Sequence, residues 1–118
     1  MTSSSQLSLE VWRAEPHAVV VTARGDLDLS TLDDATAGLD EARAAGGTLI
    51  LDLREVGFMD TSGLRLVIEE QQRAAEGGYR FAVVPGSSRV QRLFEIAGLA
   101  GDPALFVDPP TRPAGGCG

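Results

Sequence analysis

The sequence predicts an α/β fold: a mixed, mostly parallel sheet of about five strands, opened by an amino-terminal hairpin and covered by three to four helices. Three observations predict it. Two strand-like runs follow one another near the amino end with no helix between them. From Thr48 onward strand-like and helix-like stretches alternate, and each such unit needs a crossover that leaves its strands parallel. The residues available for a core are aliphatic, because 43% of the chain is hydrophobic but only 5% is aromatic.

Residues 1–6 form a polar, serine-rich start, and residues 7–108 are assigned to one domain. Leu7, Leu9 and Val11 alternate with Ser8, Glu10 and Trp12, the period of a half-buried strand. Glu15-Pro16 interrupts it. Ala18 to Ala23, with its Val19-Val20-Val21-Thr22 run, is a second and more buried strand, so the two form a hairpin turning around Ala14 to His17. Gly25-Asp26-Leu27-Asp28 ends that strand. Ser30-Thr31 offers a helix N-cap with Asp33 and Asp34 in the first turn, and Leu32, Ala35, Leu39 and Ala42 mark the buried face of a helix closing at Gly46-Gly47. Thr48 to Leu53 is the third strand. After a short connection, Ser62 to Glu76 is the second helix, with Leu64, Val67, Ile68, Gln71 and Ala75 at helical spacing. Gly77-Gly78 stops it, and Tyr79 to Val84 is the fourth strand. Ser87-Ser88 caps a third helix whose buried side takes Val90, Leu93, Phe94 and Ala97, with Ile96 and Leu99 also assigned to the core. Ala104 to Val107 is a last short strand. Residues 109–118 carry Pro, Gly and Arg with nothing to bury, and are expected to be a disordered tail.

Composition narrows the function. With 17 acidic and 10 basic residues the formal net charge is −7, which argues against nucleic acid, whose phosphates need a basic stripe. It suits a partner that presents positive charge. All ten basic residues are Arg, so a phosphate-binding loop built on Lys is impossible. The single cysteine, Cys117, forms neither a disulfide framework nor a metal cluster, which fits a reducing cytoplasm. No signal peptide and no apolar run of membrane-spanning length are visible. His17 is the only histidine and has no assignable nucleophile, so no catalytic triad is expected. Asp-Thr-Ser-Gly differs from the Asp-Thr-Gly of aspartic proteases and has no second copy. No enzyme, cofactor or metal site is read from the chain; Asp26, Asp28 and Asp60 are scattered acids of the kind that line a solvated surface.

The chemistry concentrates at Val56-Gly57-Phe58-Met59-Asp60-Thr61-Ser62-Gly63-Leu64. Asp60-Thr61-Ser62 sits where the third strand gives way to a helix. A hydroxyl there lies beside unpaired backbone N–H groups and the positive end of a helix dipole, surroundings that favour a phosphate. Simple capping explains the same residues: Asp60 reads equally as an N-cap, and Thr61 and Ser62 as cap or first-turn residues. Gly63 reads as room for a close approach or as relief of a tight turn, Leu64 as an interface anchor or as core, and Gly25 and Asp28 as a contact loop or as a plain turn with an exposed acid.

Three stretches, Gly25-Asp26-Leu27-Asp28, Phe58-Met59-Asp60-Thr61-Ser62-Gly63-Leu64 and Arg92-Leu93-Phe94-Glu95-Ile96-Ala97-Gly98-Leu99, occur in order and on matching elements. Together, over roughly Leu7 to Val107, they resemble the STAS domain, and more narrowly the free-standing bacterial anti-sigma factor antagonists. The resemblance implies partner switching in stress response or sporulation. The unmodified antagonist would bind an anti-sigma factor that is also a serine/threonine kinase of the GHKL ATPase type, freeing a sigma factor. Phosphorylation by that kinase would end the binding, and a PP2C-type phosphatase would reset it. The acceptor implied is the hydroxyl directly after the Asp, here Thr61, with Ser62 as the alternative. The implied contact set is Gly25, Asp28, Asp60, Thr61, Ser62, Gly63, Leu64 and Arg65, on a monomer. Arg65 departs from the small residue common there and is expected to tune which kinase is accepted. A STAS subunit of a membrane transport complex, or a stress-signalling scaffold phosphorylated on Thr, are the other functions the same fold implies.

Overall fold

The computed structural model describes residues 7–14 and 17–111. Its elements run β1 (Leu7–Ala14), β2 (Ala18–Leu27), a single turn of 3-10 helix (Leu29–Thr31), α1 (Leu32–Ala44), β3 (Thr48–Met59), α2 (Thr61–Gly77), β4 (Phe81–Val84) and α3 (Ser88–Ile96). The sheet has the order β1-β2-β3-β4, antiparallel between β1 and β2 and parallel thereafter. The α/β class, the mixed sheet and the opening hairpin are therefore as the sequence predicts. The assigned serine-rich start, Glu15-Pro16 and residues 112–118 of the assigned tail, Cys117 among them, lie outside the described residues.

Strand alternation sends the two sides of the sheet to different environments. Val19, Val21, Leu49, Leu51, Leu53, Phe81 and Val83 join Ala35, Leu39 and Ala42 of α1, Leu66, Val67 and Ala74 of α2, and Val90 and Phe94 of α3 in one cluster. The opposite side carries a smaller cluster of Ala14, Ala18, Val20, Ile50 and Val84, with Trp12 and Val107 packed on it and no helical residue in it. The helices thus cover one face of the sheet.

Several element boundaries and faces differ from the sequence reading, each for a physical reason. The fifth strand is one parallel bridge, Val83 to Phe106. A turn at Asp102–Leu105 consumes the residues before it and Pro109-Pro110 has no N–H to continue it, so only Val83 N to Leu105 O (2.7 Å) and Val107 N to Val83 O (3.0 Å) form. Leu105 is buried, and Phe106 meets Phe94 edge to face at 5.3 Å. β3 runs six residues past Leu53, because β2 continues to Leu27 and supplies partners through two register shifts. The inward residues Leu53, Val56 and Met59 are then spaced by three rather than two, which is why this stretch reads as a connection. Thr31 is the N-cap of α1, as expected, but makes no side-chain cap bond; it closes a 3-10 turn that Asp28 caps. α2 turns Gly63, Leu66, Val67, Glu70 and Ala74 inward, leaving Leu64, Ile68 and Gln71 half-buried and Ala75 exposed. On α3, Ile96 and Ala97 are exposed rather than core.

A polar clamp unseen in the hydrophobic pattern ties α1 to α2. Glu70 is 3% exposed. Arg43 donates to both of its oxygens, Nη2 to Oε1 at 2.7 Å and Nε to Oε2 at 3.1 Å, and the Tyr79 hydroxyl donates to Oε2. Arg43 also reaches Asp40 at 2.7 Å. Burial, then the hydrogen bond donated to Glu70, raises the Tyr79 pKa above its usual value. A raised folded-state pKa adds stability that is fully present below the unfolded value, about 10, and is lost as pH rises through the folded one. Tyr79 is the chain's only tyrosine and there is no lysine. A fall of the thermal midpoint above about pH 10 should therefore flatten in Tyr79→Phe. An alkaline limb unchanged in that variant would show that the phenol is not held this way.

Candidate functional site

The site is built at the carboxyl ends of β2 and β3. Asp60 has extended backbone and caps α2: its carboxylate accepts from Ser62 N at 2.8 Å, and its carbonyl from Gly63 N at 3.1 Å and Leu64 N at 3.3 Å. Its own N–H donates to Leu27 O at 3.3 Å, which fixes the end of β2 against the start of α2. Thr61 is the first helical residue and is exposed, and its hydroxyl makes no hydrogen bond among the described residues. Ser62 is half-buried beside it.

One expectation changes here. The first-turn N–H groups are not waiting for an anion, because Asp60 itself takes those of Ser62 and Gly63. The helix end is already neutralised by its own cap, so a phosphate on Thr61 would sit beside a carboxylate and face solvent.

Gly63 is buried. A Cβ there would stand 2.6 Å from Met59 Cγ, 3.0 Å from Leu27 Cγ and 3.1 Å from Leu27 O. Its bareness lets α2 start hard against β2 and β3, and it supports the site from below. Leu64 is half-buried against the main core, and Arg65, one turn after Thr61, is exposed.

The loop after β2 is rigidly built. Asp28 accepts from Ser30 N at 3.0 Å and Ser30 Oγ at 2.7 Å, while its N–H donates to Thr31 Oγ1 at 3.1 Å. Thr31 is buried and donates to Asp26 O at 2.8 Å. The bond from the Ser30 hydroxyl foremost holds the Asp28 carboxyl below its usual range, so it carries its charge firmly. Gly25 sits in β2 with φ 110, paired with Val56 at the second register shift.

Leu29, Leu32, Thr61, Ser62 and Arg65 line one notch of about 190 Å³. The structure thus brings the Asp28 turn and the Thr61 helix start together, although Leu29 and Thr61 lie 32 positions apart in sequence. Two neighbours were absent from the sequence-derived site. Leu29, in the notch with Thr61, is 73% exposed, and Phe58, two residues before Asp60 at the end of β3, is 44% exposed. The signal for Leu29 was present in Asp28-Leu29-Ser30-Thr31: an apolar residue inside a polar capping sequence has no buried slot to fill. A larger open groove of about 560 Å³ lies elsewhere, between Arg54 and Phe106, and its arginine is already paired with Asp52 at 2.9 Å. Among the described residues there is no group of three potential metal ligands, and no helix is long and apolar enough to cross a membrane.

Comparison with known proteins shows the family and the fold. Residues 11–108 match the family model described as Mlab, STAS domain. The anti-sigma F factor antagonist of Paenibacillus polymyxa is 31% identical over 83 residues, covering 69% of this chain and 71% of that protein. The Bacillus anti-sigma factor antagonist SpoIIAA, solved unphosphorylated and phosphorylated, superposes with TM-scores of 0.69 and 0.66 at 24% and 23% identity. These alignments cover 86% of this chain and 88% and 91% of the SpoIIAA chains. An anti-sigma factor antagonist from Mycobacterium paratuberculosis has a TM-score of 0.77 at 20% identity, with 90% of each chain covered. These solved structures carry the fold; the family match and the Paenibacillus relative carry membership. The chain belongs to the STAS domain family, among the anti-sigma factor antagonists.

Proposed function

We propose that this protein is an anti-sigma factor antagonist that binds a GHKL-type anti-sigma factor/serine-threonine kinase, releases a sigma factor, and is switched off by phosphorylation of Thr61. One observation carries the reading: Thr61 presents an exposed, unbonded hydroxyl at the first position of α2, beside an Asp60 that is locked as cap. The protein is the substrate and catalyses nothing. In the transfer, Thr61 Oγ1 attacks the γ-phosphorus of ATP, the bond to the ADP oxygen breaks, and the hydroxyl proton passes to a base of the kinase. A PP2C-type phosphatase hydrolyses the ester and restores the hydroxyl.

The contact set is Gly25, Asp28, Asp60, Thr61, Ser62, Leu64 and Arg65, with Gly63 as the buried spacer beneath them; Ser62, half-buried and with its N–H engaged, is the alternative acceptor. The phosphate adds about −1.5 to −2 charge at neutral pH next to Asp60. It remains solvated on the free protein, so the fold survives. In a complex the same charge must be desolvated without a partner, at a cost of about 2–5 kcal/mol, which exceeds the ~0.3–1 kcal/mol that a helix end returns. The switch therefore acts at the interface of a protein that exchanges partners as a monomer.

Incubation with each GHKL anti-sigma kinase of the host and ATP, followed by intact mass and site mapping, tests this. One phosphate on Thr61, absent in Thr61→Ala and abolishing kinase binding, is expected. A phosphate on Ser62 would move the acceptor by one residue. No phosphate with any kinase, with a transporter ATPase or a different kinase co-purifying, would replace this reading with that of a transport subunit or a stress-signalling scaffold.

A further inference from the structure

Three large apolar side chains among the described residues are strongly exposed: Leu29 at 73%, Phe58 at 44% and Ile96 at 76%. Single exposed apolar residues are ordinary on any surface. Here one of the three shares a notch with Thr61 and a second stands at the end of β3 just before Asp60, and local structure holds each of them out. Around Leu29, the Asp28, Ser30 and Thr31 side chains are consumed by the reciprocal cap, Thr31 is buried, and Leu32 packs against the core. Leu29 offers its carbonyl to Leu32 N, but its side chain alone in the turn has no internal partner, and the bonded turn fixes its backbone there. Phe58 owes its position to the irregular register between β2 and β3, which sends Val56 and Met59 inward and leaves Phe58 beside Asp26 on the outside.

We propose that Leu29 and Phe58 are the apolar anchors of the surface that binds the anti-sigma factor, and that Thr61 is an effective switch because it shares a notch with Leu29 and follows Phe58 by three residues at the end of β3. This rests on the function proposed above and adds the residues that carry the affinity. Rigid apolar anchors lose little conformational freedom on binding and dominate an interface when a polar rim shields them from water. Asp26, Asp28 and Asp60 supply that rim, and Asp28 is held in its charged form. The occupant that fits is a protein surface with an apolar socket ringed by basic side chains, complementary to a chain of net charge −7. A phosphate on Thr61 would place a near-dianion in the notch beside Leu29, within that contact.

The test is a titration of each purified host GHKL anti-sigma factor, without ATP, by the full-length protein and by Leu29→Ser, Phe58→Ser, Ile96→Ser and Thr61→Glu, with thermal melts confirming that each variant is folded. Leu29→Ser and Phe58→Ser should each weaken binding about tenfold or more, and Ile96→Ser should leave it unchanged. Wild-type affinity in Leu29→Ser and Phe58→Ser, with binding lost in Thr61→Glu, would overturn the anchors and leave the proposed function standing. An equal loss in Ile96→Ser would overturn them as well, since it reports non-specific adhesion. Failure of the wild type to bind any of these kinases would overturn both proposals.

Discussion

Replacing Arg43 with alanine is expected to cost about 3–5 kcal/mol of folding stability, the range for removing one partner of a buried ion pair. The reason lies in the exposures of the two ends. Glu70 is 3% exposed, so it cannot recover water when the guanidinium is removed, while the Arg43 side chain is 23% exposed and would. The variant is left with a buried carboxylate whose remaining donor is the Tyr79 hydroxyl. The double variant Arg43→Leu with Glu70→Leu should recover most of the loss, because an apolar pair of similar volume avoids desolvating two charges. Urea denaturation at neutral pH, comparing midpoints at constant slope, reads both effects. A loss in Arg43→Ala below about 1 kcal/mol would be that of a surface pair and would contradict the clamp.

Gly63→Val is the second large effect, at the upper end of the ~1–3 kcal/mol range for overpacking. A Cβ alone would already stand 2.6 Å from Met59 Cγ and 3.1 Å from Leu27 O, and a backbone carbonyl cannot rotate away. Relief requires the start of α2 to lift from β2, which pulls on the Leu27 O to Asp60 N bond and on the cap that positions Thr61. Stability and phosphorylation should therefore fall together, read by thermal melting and by the rate of phosphate incorporation. Gly57→Ala is the control, because nothing lies within 4 Å of its Cβ position. Wild-type phosphorylation in a destabilised Gly63→Val would show that the acceptor is positioned independently of this contact.

The sequence by itself determined the class, the strand–helix order, the junction at Asp60 and the caps at Asp60 and Ser87, because these follow from local periodicity and side-chain hydrogen bonding within a few residues. Pairing over longer separations had to be seen in three dimensions. The extension of β3 to Met59 depends on partners in β2 and on two register shifts that break the two-residue period. The inward face of α2 is rotated toward Gly63 and Glu70 because a glycine contact and an ion pair from α1 set it, and neither adds to a hydrophobic pattern. The last strand shrank to one bridge between a turn and two prolines. The notch that joins Leu29 to Thr61 forms where β2 and β3 pair to Leu27 and Met59 and Leu27 O accepts from Asp60 N, bringing the ends of two parallel strands together. Local chemistry names the hydroxyl; the folding of the β2 turn against it decides what surrounds it.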